Sequence, residues 1–232
     1  MSGFLFETPE IPALTVNGED KVYPVRRIFC VGRNYAAHAA EMGVEVDREA
    51  PFYFTKSAFM LQPSGTTIPY PPGTENFHYE MELVLAIGKP VFKAGRDEAM
   101  AAVFGFACGL DMTRRDLQIA ERTRQRPWDL GKDVEHSAVM ARITKAADMG
   151  EIGPQRIHLE VNGKTRQDAI LADMIWKVDE IVSHLSGYYH LGPGDLIMTG
   201  TPAGVGPVVA GDRIVGEIDG LDPIEIVIGD PE

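Results

Sequence analysis

The chain has 232 residues, 44% of them hydrophobic and 24% charged, the balance of an ordinary globular protein large enough for one substantial core. Its formal net charge of −12 leaves no basic face for a nucleic acid, and two cysteines, Cys30 and Cys108, both in apolar stretches, do not make a disulfide framework. The longest apolar run, residues 99–110, falls short of the roughly 20 residues a membrane span needs, and the first residues carry neither a basic start nor a long apolar stretch. The expectation is a cytoplasmic protein with no membrane or nucleic-acid partner.

With 24 glycines and 16 prolines, many turns and a β-rich body are expected. "VYPVRRIFCVG" (22–32) alternates and then runs apolar, which predicts strands. "NYAAHAAEMG" (34–43) predicts a short helix that Asn34 can cap and Gly43 can stop. Residues 63–73 read as loop. "HYEMELVLAIGK" (78–89) reads as one strand entering a core. "GRDEAMAAV" starts a helix with Asp97 as its cap, "FGFACGLDMT" is a buried strand, and "RRDLQIAERTRQ" is a charged helix that must end before Pro127. "RIHLEVNGKTRQDA" is a hairpin turning at Asn162-Gly163. "WKVDEIVSHLSGYY" places Val178, Ile181, Val182 and Leu185 on one helical face. The remainder gives strand and turn signals without regular strand–helix alternation. This predicts an α+β fold with a roll or sandwich body rather than a doubly wound sheet.

Some of these segments carry chemistry. In a strand, Glu80 and Glu82 share a face with His78, and Val84 and Ala86 continue that face into the interior. Two anions there stay wet at a sheet edge, or one takes up a proton, or a cation sits between them. Asp111 ends another apolar strand, either as a helix cap or as a third acid. If the two strands adjoin, three carboxylates converge, and oxygen-only ligands suit Mg²⁺, Mn²⁺ or Ca²⁺ rather than zinc. His38 and Glu41, three apart on a helix, form either a surface pair or a carboxylate-oriented general base. Lys132 follows a glycine and is either solvated or placed to stabilise an oxyanion. "TGTPAGVGP" (199–207) lacks the lysine-hydroxyl ending of a P-loop. It is a rigid turn, or a set of N–H groups that meets an anion together with the Thr201 hydroxyl.

In this order, "GRNYAAHAAEMG", "HYEMELVLAIGK", "GLDMTRRDLQ", "RPWDLGKDVEHSA" and "GDLIMTGTPAGVG" resemble the motifs of the fumarylacetoacetate hydrolase family, over residues 26–206 with the last strands also fitting. The resemblance implies the mixed β-sandwich roll of that family's C-terminal domain. Residues 1–25 would then be an N-terminal extension and 26–232 a single catalytic domain. It implies a homodimer with Mg²⁺ or Mn²⁺ held by Glu80, Glu82 and Asp111, and a water-activating pair, His38 and Glu41, on a segment that orders over ligand. That segment, 34–43, is accordingly expected to be mobile in the unliganded protein. Lys132 would sit near the reacting carbonyl, and Arg115, Gln118 and Thr201 would line the substrate pocket. Arg33 or Arg115 would meet a second substrate carboxylate.

The implied reaction is metal-dependent hydrolysis of an acylpyruvate, a small 2,4-diketo acid. "MTRRDLQ…RPWDLGKDVEHSA" looks most like the members that cleave fumarylpyruvate in gentisate degradation. The alternatives within the family are oxaloacetate-type decarboxylation and isomerisation or decarboxylation of hydroxydienedioates. Two positions depart from the family pattern. Lys56 is followed by Ser57 where many relatives have proline, and Lys132 by Asp133, an acid able to pair with that lysine or to point away.

Overall fold

The computed structural model describes residues 3–41, 43 and 48–232. An eight-stranded mixed sheet forms its centre. Its continuous path runs Phe52–Lys56, Arg27–Gly32, Asp195–Met198, Met81–Ile87, Val103–Asp111, Ala138–Met140 and Leu61–Pro63, with Thr144–Lys145 added beside Val103–Asp111. Most neighbours are antiparallel, but Asp195–Met198 runs parallel to Arg27–Gly32 and Ala138–Met140 parallel to Leu61–Pro63. This is the α+β roll expected from the sequence.

The unbroken apolar runs have a physical reason. All seven residues of Met81–Ile87 are buried, because both faces of this sheet are covered. Met81, Leu83, Leu85 and Ile87 enter one core, together with Phe29, Phe106 and Ile197. Val84 and Ala86 enter a second, with Ile28, Cys30, Leu196 and Met198. The first core is closed by a five-stranded sheet, in the order Lys164–Ile170, Arg156–Val161, Arg213–Ile218, Ile224–Pro231 and Thr66–Tyr70, and by the helix Val178–Ser186, which buries Val178, Ile181, Val182 and Leu185. The second is closed partly by a ribbon of Ala13–Thr15 and Val22–Pro24, which contributes Leu14 and Tyr23, and by Val16 and Val25 just after its two strands. The outer sheet alternates exposed and buried residues, as in Arg213–Ile218, because only one of its faces is covered. Its first hairpin turns at Asn162 and Gly163, whose φ angles of 54° and 71° are those the tight turn demands.

A three-stranded sheet, Thr113–Arg114, Phe77–Tyr79 and Gly206–Val208, fastens loops from distant parts of the chain. It also corrects an expectation. "HYEMELVLAIGK" is not one strand: Phe77–Tyr79 belongs to the small sheet and Met81–Ile87 to the large one, with Glu80 between them in neither.

Two expected caps are different groups. The helix at 96 is Arg96–Ala101, capped by Gly95, so Asp97 lies inside its first turn. The short helix is Ala36–Glu41, and Met42 of the expected 34–43 span lies outside the described residues. Asn34 does not cap it. Its buried amide donates to the carbonyls of Trp176 (3.0 Å) and Thr199 (2.8 Å) and accepts from Trp176 N (2.7 Å), stitching two loops to the helix start. Among the described residues no helix is long and apolar enough to cross a membrane.

Candidate active site

Antiparallel pairing of Met81–Ile87 with Val103–Asp111 sets Met81 opposite Leu110 and Glu82 opposite Gly109. One step further, Asp111 N donates to Glu80 O at 2.9 Å. Opposed residues of a pair face the same way, so Glu80, Glu82 and Asp111 share one face. Carboxylate oxygens of the three lie within 4.8 Å of one another, all buried. The reading of Asp111 as a helix cap falls away, because the next helix, Arg115–Thr123, begins after Arg114.

Three buried cations surround these acids. Lys132 Nζ donates to Glu80 Oε2 (2.9 Å), Asp111 Oδ2 (2.6 Å) and Thr113 Oγ1 (2.8 Å). Lys56 Nζ donates to the carbonyls of Met112 (3.1 Å) and Lys132 and to Ser137 Oγ (2.8 Å), and lies 2.9 Å from Asp111 Oδ1. Arg115 donates to Glu80 Oε1 and, at 3.3 Å, to Gln118 Oε1. An ammonium has three protons. Lys56 has spent all of its own elsewhere, so Asp111 Oδ1 has a countercharge but no hydrogen bond.

The electrostatics separate the two glutamates. Burial opposes charge on Glu80, and Lys132, Arg115 and His38 outweigh it, holding that carboxyl below the usual carboxylate range. Glu82 goes the other way: burial first, then the charges of Asp111 and Glu80, push its carboxyl well above that range. Among the described residues no cation pairs with Glu82, whose Oε2 accepts from Gly200 N at 2.7 Å. Burial likewise disfavours the Lys132 charge, but Asp111 and Glu80 prevail and raise its pKa. A hard divalent cation fits this donor set. The ligands are all oxygen, one Asp111 oxygen is buried without a hydrogen bond, and Glu82 makes no ion pair among the described residues.

His38 is buried at the mouth of the same pocket, its Nδ1 3.1 Å from Glu41 Oε2. A carboxylate only accepts, so Nδ1 is the donor to Glu41 in this contact. Glu41 is fixed in turn by Gly204 N, 3.2 Å from both its oxygens. The glycine-rich loop therefore does meet anions through its N–H groups, and they are the protein's own Glu82 and Glu41. Gly200 has a φ of +93°, and a Cβ there would come within 2.8 Å of Asn34 Cβ and 3.0 Å of Val31 O; the loop can present its N–H to Glu82 only with glycine at this point.

The pocket is lined by Arg33, His38, Glu80, Glu82, Arg115, Gln118, Lys132 and Thr201, with Phe54 and Trp128 as apolar wall. Asp111 reaches it through Lys132, and Glu41 through His38. The fold thus assembles all ten residues singled out in the sequence. Thr201 Oγ1 accepts from Gln167 Nε2 at 2.8 Å. Arg33 holds a φ of 60° and lies 5.7 Å from the Phe52 ring centre and 5.9 Å from that of Trp128. Asp133 points away from Lys132: its Oδ1 accepts from Ser57 N at 2.7 Å. Sequence reasoning missed Lys56 as a buried partner of Asp111, and Arg122, which also lines the pocket. The available signal for Lys56 was a charge closing the apolar strand "FYFTK".

A mixed β roll with a buried carboxylate triad able to hold a divalent cation, beside a histidine–glutamate pair, is the architecture of an enzyme. The profile described as "Fumarylacetoacetate (FAA) hydrolase C-terminal" matches residues 27–228, and the chain belongs to the fumarylacetoacetate hydrolase family of enzymes. It is 53% identical over 194 residues to a fumarylpyruvate hydrolase of Ralstonia sp, covering 82% of this chain and 100% of that one. It is 37% identical over 207 residues to a mitochondrial oxaloacetate tautomerase of Homo sapiens, covering 89% and 93%. Among solved structures, the fumarylpyruvate hydrolase of Pseudomonas aeruginosa in complex with Mn²⁺ and pyruvate superposes with a TM-score of 0.94 at 46% identity, over 99% of this chain and 100% of that one.

Proposed function

We propose that the protein hydrolyses the C–C bond of an acylpyruvate, and that its substrate is fumarylpyruvate, cleaved to fumarate and pyruvate. The observation that carries this reading is the His38–Glu41 pair held over the triad by Gly204, since an attacking water needs a base beside the metal ligands. The similarity to fumarylpyruvate hydrolases supports the acyl group.

A divalent cation on Glu80, Glu82 and Asp111, Mg²⁺ or Mn²⁺, would supply Lewis-acid polarisation of the 2-oxo acid end of the substrate. His38 takes a proton from water, and Glu41 steadies the imidazolium that results. The hydroxide attacks the 4-oxo carbon. Lys132 exchanges one of its three present acceptors for the new oxyanion. The C3–C4 bond then breaks, the acyl group leaves as fumarate, and the departing enolate of pyruvate takes a proton at C3. Gln118 and Thr201 orient the chain of the substrate, and Arg33 and Arg115 add positive charge to a pocket that must admit a dianion. The proposal extends to the setting: gentisate degradation in the cytoplasm, by a homodimer. Light scattering that returns a single-chain mass would remove the dimer.

The reaction is tested by following loss of the enol absorbance of fumarylpyruvate, acetylpyruvate and oxaloacetate with Mn²⁺ or Mg²⁺, before and after EDTA. Rapid, chelator-sensitive loss of fumarylpyruvate with fumarate appearing is the expected result. His38→Ala should lower that rate by roughly 10²- to 10⁴-fold. Turnover of oxaloacetate alone, with CO₂ released or with keto–enol exchange only, would overturn the hydrolytic reading, because those reactions need no attacking water.

A further inference from the structure

A dianionic acylpyruvate presents a second carboxylate at the end remote from the oxo acid, and the pocket must meet it. Three arginines line the pocket besides Lys132, and two are committed. Arg115 is held by Glu80 and Gln118. Arg33 lies over the rings of Phe52 and Trp128. Arg122 is different: it is half-buried, and among the described residues its guanidinium has no hydrogen-bond or ion-pair partner. A half-buried guanidinium that lines a pocket without a partner among the described residues is a site for a planar anion.

Its position has a geometric meaning. Arg115, Gln118 and Arg122 all line the pocket and lie on one helix, Arg115–Thr123. Their spacing of three and then four residues puts them on a single helical face. At 1.5 Å per residue, Arg122 stands about 10 Å along the axis from Arg115. Arg115 touches Glu80 at the triad end. The helix is therefore a graduated edge, with the triad at one end and an unsatisfied cation two turns away. Six extended bonds cover about 7 Å, and the carboxylate oxygens with their hydrogen bonds supply the remaining distance for a seven-carbon diacid. Arg122 is shared with an adjoining chamber walled by Phe52, Phe54, Trp128 and Tyr189, whose charged lining is Arg33, Arg122, Arg126, Lys132 and one acid, Asp129. In a chain of net charge −12, that positive mouth favours entry of dianions.

We infer that Arg122 binds the distal carboxylate of the substrate and thereby selects diacid over monoacid acylpyruvates; the substrate class in this statement rests on the acylpyruvate reading above. Two measurements on the full-length protein loaded with Mn²⁺ test it. In the first, kcat/KM is compared for fumarylpyruvate, which carries the second carboxylate, and acetylpyruvate, which ends in a methyl. Arg122→Gln should lower the value for fumarylpyruvate by about 10- to 100-fold, mainly through KM, and leave acetylpyruvate within about twofold. Arg122→Lys should recover part of the loss. In the second, calorimetry compares fumarate with crotonate, the same skeleton with a methyl in place of one carboxylate. The unaltered protein should prefer fumarate, and Arg122→Gln should abolish the preference. Equal losses on both acylpyruvates, or an unchanged fumarate preference, would overturn the assignment. The two readings fail separately. A protein that cleaves fumarylpyruvate equally well with glutamine at 122 loses only the Arg122 role. One that cleaves no acylpyruvate, yet discriminates fumarate from crotonate through Arg122, loses only the reaction.

Discussion

Lys56 and Lys132 show how completely a buried ammonium is used. Each donates three hydrogen bonds, and Lys56 spends one on the carbonyl of Lys132 itself, so the two lysines are placed by one another. The same pair of segments explains both departures from the family pattern. Ser57 brings an N–H that proline would lack, and Asp133 accepts it. Asp133→Ala should therefore cost about 1 kcal/mol by leaving that donor without its partner. Ser57→Pro in the same background should recover much of the loss, because Ser57 already has a φ of −60°. Urea midpoints of the single and double variants check this, and strictly additive losses would count against it. The acids and the His38–Glu41 pair were visible in the sequence as local signals, a spacing of two in a strand, of three in a helix, an acid at a strand end; each left a structural reading open, and the order of the motifs along the chain chose between them. The partners of Lys56 lie as far as 81 residues away, and nothing local announces them. Asn34 misled for the same reason, since a residue type that caps helices also serves as a bridge between loops.

At the scale of elements, the pocket depends on how closely the helix Asp129–Lys132 approaches the helix Arg115–Thr123. They touch at Gly131, where a Cβ would come within 2.6 Å of Gln118 Cβ, 2.7 Å of its N and 2.8 Å of its Cα. Backbone cannot swing aside like a side-chain tip, so the helices must part. Gly131→Ala should cost about 1–3 kcal/mol of stability, the usual range for overpacking, and should lower acylpyruvate turnover by moving Gln118 relative to Lys132. Denaturant unfolding read beside steady-state rates separates the two effects. Unchanged stability would show that the helices have room. Most strands of the two sheets were readable from periodicity, and the double covering of the large sheet from its unbroken apolar runs, but Thr66–Tyr70 lies inside the 63–73 stretch expected to be loop, because an edge strand that buries only Ile68 shows no apolar alternation. The break at Glu80 was not readable either, because a residue that passes between two sheets has the same extended backbone as one that stays in either.

For the whole molecule, one acid couples the sheet to pH. Asp195 has a fully buried side chain, and Arg26 and Arg27 reach it at 2.8 and 2.7 Å. Burial opposes its charge, but hydrogen bonds from Arg27 and Arg26 prevail and keep its carboxyl below the usual carboxylate range. A folded-state pKa below the unfolded value means that this contribution is complete above about pH 4 and is lost as pH falls through the folded value. Asp195→Asn should lower stability at pH 7 and flatten the acid limb of a urea-midpoint profile; parallel profiles would refute the coupling. Metal acts in the opposite sense. A cation that binds only the folded triad stabilises it by about 2.7 kcal/mol at one hundred times its dissociation constant, which for a chain of 232 residues raises the melting temperature by roughly 5–10 °C. Differential scanning calorimetry with Mn²⁺ and then EDTA reads this directly, and a melting point indifferent to both would remove the metal site.

The small sheet of Thr113–Arg114, Phe77–Tyr79 and Gly206–Val208 has a consequence for how the protein is made. Asp111 lies just before its first strand, Glu80 just after its second, and Thr201 a few residues ahead of its third. Closing it requires Gly206–Val208 to find strands from the first half of the chain, the slow kind of contact in folding. Affinity for a divalent ion should therefore arise late, after most secondary structure has formed. A metal-sensitive dye added to a refolding mixture would then keep time on the final closure rather than on collapse.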